Sequence, residues 1–222
     1  TLHAQDSFFP FGVYDKAEIT SRNDNWKRYY TRVFNVLEEN NLNTLLTVPY
    51  TRAEDSLYVL NRAQERGIHV ILGTGNPLNV KWDRVGPTYP FHRVYTHPSV
   101  FAIKTGDEPE TRADVRILKR NYDAFRYFYK LPVITAMIGE GMTGRNTDFT
   151  HQTWRRLNAD ILFARFYPLR RTYDLVEWSE QKMAKPFEQW AADMERNAAG
   201  KPWWYIMQTF GRDVRPIHTS YW

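Results

Sequence analysis

Three carboxylates stand where this chain could do acid–base chemistry. Asp107 and Glu108 lie side by side in Gly106-Asp107-Glu108-Pro109, directly after the apolar run Val100 to Thr105. Glu140 sits in the glycine-rich segment Gly139 to Gly144, directly after a second apolar run, Pro132 to Ile138. A carboxylic acid can protonate a leaving oxygen and, once ionised, take a proton from water. Two readings of Glu108 stand side by side: a general acid/base, or a solvated cap on the helix that begins near Pro109. Glu140 is either the second carboxylate or a solvent-exposed loop residue. The chain has no cysteine, which excludes thiol catalysis, disulfides and cysteine metal sites. Its six histidines do not cluster and form no HExxH spacing, so no catalytic metal is expected. No dinucleotide or P-loop glycine fingerprint follows any apolar run, so no cofactor is expected.

The elements that must position these groups follow from hydrophobic periodicity. Strands are expected at Phe8 to Tyr14, Asn43 to Pro49, Ile68 to Leu72, Val100 to Thr105, Pro132 to Ile138, Asp160 to Phe166 and Trp203 to Phe210. Amphipathic helices are expected at Asn25 to Asn40, at Ala53 to Arg66 with Gly67 as its stop, and at Glu110 to Lys130. A short helix is expected at Phe149 to Asn158, and a mainly helical segment at Leu175 to Ala199 with an interruption at Pro186. Residues 78–98 carry Pro87, Pro90 and Pro98 and read as irregular, with one short helix. Strands alternating with helices imply βαβ units and a parallel sheet. The expected fold class is therefore α/β, of the (β/α)8 TIM-barrel type, as a single domain over residues 1–222. Seven strands are visible rather than eight, so the expectation is an incomplete barrel lacking its C-terminal βα unit, or one part of a larger chain.

In such a barrel the active face is built from residues just past the carboxyl ends of the strands. Those positions hold Tyr14 and Asp15, Tyr50, Asn76, Asp107 and Glu108, Glu140, Arg165 and Tyr167, and Gln208. Aromatic rings stack on the apolar faces of sugars, while carboxylates, amides and guanidinium groups take the hydroxyls. Trp204 belongs either to the core or to this set as a sugar platform. If Glu108 faces the barrel axis, strand alternation also turns Gly106 and Lys104 inward. An inward lysine in a packed interior needs an anionic partner, and a local bulge would turn it outward instead. Arg165 has two readings, a structural ion pair with Glu108 or a bidentate site for a sulfate or uronate. His69, inside a strand, reads as a core histidine.

The run His97-Pro98-Ser99-Val100-Phe101-Ala102-Ile103-Lys104-Thr105-Gly106-Asp107-Glu108-Pro109 resembles the fourth strand of the clan A glycoside hydrolases. In that superfamily a helix ends in His-Pro, an apolar strand follows, and an acidic "DEP" or "NEP" closes it. Asn41 to Tyr50 is similar to the superfamily's second strand, Asn158 to Pro168 to its sixth and Lys201 to Gly211 to its seventh. The resemblance covers most of the chain and implies a glycoside hydrolase-like barrel with Glu108 as general acid/base. It also implies a glutamate nucleophile at the tip of the seventh strand. Here that region reads Ile206-Met207-Gln208-Thr209-Phe210, an amide in place of the acid, and Arg165 stands where many relatives carry a sixth-strand aspartate. Three substitutes for the nucleophile remain open. Glu140 can serve as the second carboxylate. Asp107 can orient a substrate acetamido group while Glu108 acts as acid, provided the strand ends or bulges there. An eighth strand can carry the acid. Without any of these, the barrel is a catalytically inactive glycan-binding or structural module.

The 222 residues carry 30 basic and 25 acidic side chains, a formal charge of +5, with a sequence pI near 9.3. The basic residues are scattered, the densest pairs being Arg155-Arg156 and Arg170-Arg171, so a nucleic-acid partner is not expected. The bland reading of this charge is a mixed solvated surface; the sharper one is a preference for acidic polysaccharide. No stretch approaches the length of a membrane span. Thr1 to Asp6 is not a signal peptide as it stands, but it suits the small-residue end of one, and a secreted or extracellular location is the expectation.

Overall fold

The computed structural model describes residues 12–14, 25–47, 52–74, 86–107, 112–138, 154–166, 188 and 191–207. Seven strands are described: β1 (Gly12–Tyr14), β2 (Thr44–Thr47), β3 (His69–Gly73), β4 (Val100–Asp107), β5 (Val133–Ile138), β6 (Ile161–Phe166) and β7 (Trp203–Met207). They form one sheet in the order β1-β2-β3-β4-β5-β6-β7, every neighbouring pair parallel. A doubly wound sheet reverses its strand order at a switch point. This order never reverses, which is the winding of a barrel.

The sheet also curls. The ring of Phe101 in β4 stacks on that of Trp204 in β7, with centroids 5.8 Å apart. Two strands lie between them, so a flat sheet would hold their backbones roughly 14 Å apart, three steps of about 4.8 Å. The fold is therefore of the (β/α)8-barrel type, seven strands of which are described.

Among the described residues, helices between the strands include α1 (Asn25–Glu39), α2 (Ala53–Glu65), the short α3 (His92–Tyr95) and α4 (Arg112–Tyr129). Residues 154–157 and 191–198 are helical as well. Each long helix offers one apolar stripe. In α1 it is Tyr30, Val33, Phe34 and Leu37; in α4 it is Leu118, Tyr122, Phe125 and Tyr129, all buried. These pack on the outer face of the sheet, against Leu45, Val70, Leu72, Ile103, Val133 and Leu162. Each fully buried side chain of this size stabilises the fold by about 1.5–3 kcal/mol. The hydroxyls of Tyr30 and Thr47 share a buried hydrogen bond of 2.9 Å that pins α1 to β2. Helix α2 stops where expected, with Gly67 in the left-handed region at φ 65°.

A second, smaller cluster fills the inner face: Leu46, Ile71, Ala102, Ile134, Ile161 and Phe163, with Phe101 and Trp204 against it. Strand alternation produces this division, since Leu45 and Leu46, or Leu72 and Ile71, point to opposite faces.

The amino ends of the strands are tied by side-chain hydrogen bonds. His97 Nδ1 accepts from the Ser99 amide at 3.2 Å and bonds the Ser99 hydroxyl at 2.9 Å. Its Nε2 bonds Asn61 Oδ1 of α2 at 3.0 Å, which makes Nε2 the donor and leaves the ring neutral. The His-Pro pair before β4 thus fastens that strand's entry to α2. Asp160 accepts from the Val133 amide at 3.2 Å and pairs with Arg126 of α4 at 3.2 Å.

Candidate active site

Because all seven strands are parallel, their carboxyl ends share one edge. That edge carries Tyr14, Thr47, Gly73, Asp107, Ile138, Phe166 and Met207. Strand β4 matters most, because it leads directly into Glu108, and it is irregular in two places.

The first irregularity lies opposite Val70 and Ile71. Val70 pairs with Val100 and Ile71 with Ala102, so β4 spends one extra residue, Phe101. Phe101 consequently joins Ala102 on the inner cluster. The second lies at the strand's end. Lys104 pairs with Ile134 and Asp107 with Ala136, so β4 uses Thr105 and Gly106 where β5 uses Thr135 alone. Thr105 Oγ1 lies 3.2 Å from Thr135 Oγ1 at this point.

This bulge decides which residues share the inner face. Lys104 pairs with Ile134, which belongs to the inner cluster, and with Gly73 on the other side. Lys104 is thus at an inner position, as alternation predicts, and only 8% exposed. Gly106 departs from expectation. A Cβ there would lie 2.3 Å from Cδ2 of Leu118 in α4, so this position faces outward, toward the helix. The expectation of an inward Gly106 fails because the count from Glu108 assumed unbroken alternation. After the extra residue, Asp107 takes the inner register position, level with Ala136, Phe163 and Trp204. Glu108 follows as the next residue in the chain.

Of the other candidates, Tyr14 pairs with Leu46, which is on the inner cluster, so Tyr14 also holds an inner position. Arg165 sits two residues beyond Phe163, again an inner position, and is the penultimate residue of β6. Trp204 is partly buried, with its ring on Phe101 and its position three residues short of the end of β7. That places it among the packed interior side chains beneath the rim. Glu108, Glu140, Tyr50, Asn76, Tyr167 and Gln208 lie outside the described residues. His69, at the opposite edge, packs edge-on to Phe101, and burial lowers its pKa. Among the described residues, no three His, Asp or Glu side chains converge in a metal-binding group.

Reasoning from the sequence kept a bulge in this strand as one of two readings and did not place it at Thr105-Gly106. The signal available for it was the glycine itself, since an isolated glycine inside a strand pattern marks a bulge or a close approach.

A parallel sheet wound in strict sequence, curled on itself, with acids at the carboxyl end of its fourth strand, defines the class: a (β/α)8-type barrel. Solved structures that superpose on this chain include a mannanase and a yeast protein bound to oligosaccharides. A GH113 β-1,4-mannanase superposes with a TM-score of 0.53 at 13% identity, covering 89% of this chain and 72% of that one. Saccharomyces cerevisiae Gas2p, in complex with laminaritriose and laminaritetraose, gives 0.57 at 16% identity over 94% of this chain and 51% of its own. Another Gas2 complex reaches 0.60 at 16% identity, over 97% and 52%. The chain spans about half the length of the Gas2 chains it matches. At such identities the likeness establishes the fold. No family model and no curated protein matches the sequence.

Proposed function

We propose that this barrel is a glycoside hydrolase acting on a polysaccharide or oligosaccharide, with Glu108 as general acid/base. The observation that carries the proposal is the bulge at Thr105-Gly106. It brings Asp107 to an inner register position at the end of β4, immediately before Glu108. The two acids then take different roles. Glu108, first past the strand, protonates the leaving oxygen; Asp107, on the inner phase, orients the sugar from below. The barrel fold shared with a β-1,4-mannanase and with a protein solved in complex with laminaritriose and laminaritetraose supports the reading. Glu140 is the best remaining candidate for the second carboxylate. Tyr14, Tyr50, Asn76, Arg165, Tyr167 and Gln208 make up the sugar-binding rim, and Trp204 lies beneath it. We place the protein outside the cell, where polysaccharide is met. No described helix is long and apolar enough to cross a membrane.

One observation favours a second reading. The seventh strand ends at Met207 and continues into Gln208, with no acid between Lys201 and Gly211. A barrel lacking that nucleophile can bind a glycan without cleaving it. Incubation of the wild type and Glu108→Gln with a panel of mannans, glucans and uronate-containing polysaccharides separates the two. Hydrolysis by the wild type that fails in Glu108→Gln supports the enzyme. Binding by both without cleavage supports the module, and binding by neither rejects both readings.

A further inference from the structure

The positive charge of the chain gathers on one helix. With Lys130, which follows it, α4 carries six basic residues (Arg112, Arg116, Lys119, Arg120, Arg126 and Lys130) against Asp114 and Asp123, a balance of +4. Helix α2 carries Arg62 against Glu54, Asp55 and Glu65, a balance of −2. Helix α1 carries Lys27, Arg28 and Arg32 against Glu38 and Glu39, a balance of +1. On α4, Arg112, Arg116 and Arg120 recur every fourth residue and are all exposed, on the side opposite the buried stripe of Leu118, Tyr122, Phe125 and Tyr129. Tyr127 continues the line two turns further on and is 76% exposed. At about 1.5 Å per residue, the line from Arg112 to Tyr127 runs about 22 Å. Its flanks are neutralised, Lys119 by Asp123 and Arg126 by Asp160. Like charges four residues apart repel and weaken a helix, and a bound polyanion reverses that effect. Because β4 and β5 are parallel, α4 runs back from the carboxyl edge of the sheet to its amino edge. Arg112 thus begins the line at the rim, four residues past Glu108, and Tyr127 ends it toward the far edge.

We infer that the outer face of α4 is a docking strip for an acidic polysaccharide bearing uronate or sulfate groups. The guanidinium forks of the three arginines match carboxylate and sulfate with paired hydrogen bonds. The exposed ring of Tyr127 offers the apolar face of a sugar a surface to stack on. A polymer lying along the strip is led to the rim where the chain passes from β4 into Glu108. The place of the strip stands on the exposed side chains of α4; the choice of a glycan over other polyanions rests on the function proposed above.

Calorimetric binding of the full chain to polygalacturonate, dextran sulfate and neutral dextran, at physiological ionic strength, tests the inference. Arg116→Gln/Arg120→Gln removes two charges from the strip and should weaken binding to the anionic polymers about 10-fold, the worth of two exposed ion pairs. Arg28→Gln/Arg32→Gln removes the same charge from exposed positions on α1, with α2 and α3 in between, and should change it less than about 2-fold. Tyr127→Ala should weaken binding to the same polymers about 3-fold or more. All five positions are exposed, so these variants keep the fold. Equal affinity of the wild type for neutral and anionic dextran, or equal losses in the two double variants, overturns the strip. Tighter binding of duplex DNA or of phosphatidylserine vesicles at equal charge, or unaltered binding in Tyr127→Ala, overturns the glycan as its partner. Cleavage of short oligosaccharides is read separately. A wild type that cleaves them without binding anionic polymer through α4 refutes this inference and leaves the proposed hydrolase standing. A wild type that binds anionic polymer through α4 and cleaves nothing supports the strip and refutes the hydrolase.

Discussion

Substituting Gly106 by alanine probes the bulge on which the placement of Asp107 depends. The new methyl would sit 2.3 Å from Cδ2, 3.2 Å from Cδ1 and 3.3 Å from Cγ of Leu118. Carbon atoms in contact lie about 3.5–4.0 Å apart, so the closest pair overlaps by more than about 1 Å. Leu118 is only 1% exposed and packed in the main core, so it cannot simply swing into solvent. Overpacking of this kind costs about 1–3 kcal/mol. Alanine also restricts the unfolded chain, which returns about 0.4–1 kcal/mol. The net destabilisation expected for Gly106→Ala is then roughly 1–2 kcal/mol. Leu118→Ala alone should cost about 2–5 kcal/mol through lost burial and an unfilled cavity. In that background the methyl at 106 enters the vacated space, so Gly106→Ala should become neutral or stabilising. The reversal of sign is the informative result, a coupling of about 1–3 kcal/mol between the two positions. Urea unfolding of the four proteins, followed by circular dichroism, measures it. An equal cost for Gly106→Ala in both backgrounds would mean that residue 106 does not face α4. The argument that Asp107 takes the inner position would then fail.

Three further outcomes are expected. Burial lowers the pKa of His97, so the fold favours the neutral ring; its contribution is complete above pH about 6.5 and is lost as the pH falls below that value. Urea midpoints measured between pH 8 and pH 5 should therefore decline for the wild type more than for His97→Gln, and parallel declines would contradict the bonding assigned to the ring. Removing one hydroxyl of the buried Tyr30–Thr47 pair, as in Tyr30→Phe, should cost about 1–3 kcal/mol by stranding the other. The Tyr30→Phe/Thr47→Val double variant should recover much of that loss in the same unfolding assay. Trp204→Ala should destabilise the fold by about 3–5 kcal/mol or somewhat less, since the ring is only partly buried, and a variant as stable as the wild type would show that the ring is not part of the interior.

The architecture was legible because each described strand is a short apolar run and each long helix keeps one stripe. Alternation of the two, with no nucleotide-binding glycine pattern, already pointed to a barrel, and the order of the seven strands agrees. Lys104 does hold an inner position, but the count that put it there ran from Glu108 across the bulge, and the outward alternative stood beside it. The setting of Gly106 was not legible. Gly106 marks the place, but a bulge exists only in relation to the partner strand, and the sequence does not say that β5 advances by one residue where β4 advances by two. The length of β4 was underestimated for a related reason: Gly106 and Asp107 are poor strand formers, kept in the strand by pairing with β5. Trp204 illustrates a third limit. A tryptophan near a strand end suits both a packed interior and a sugar platform, and only its stacking on Phe101, 103 positions earlier in the chain, distinguishes them.

The dependence of hydrolysis on leaving-group acidity tests the role of Glu108 most directly. A sugar alkoxide is a poor leaving group and must be protonated as it departs, whereas an acidic nitrophenolate departs without help. On an oligosaccharide, Glu108→Gln should lower kcat/KM by about 10²–10⁴-fold, the usual worth of general acid catalysis. On the matching nitrophenyl glycoside the loss in the bond-breaking step should be far smaller. Equal losses on both substrates, or none on either, would contradict the assignment of Glu108 as the proton donor.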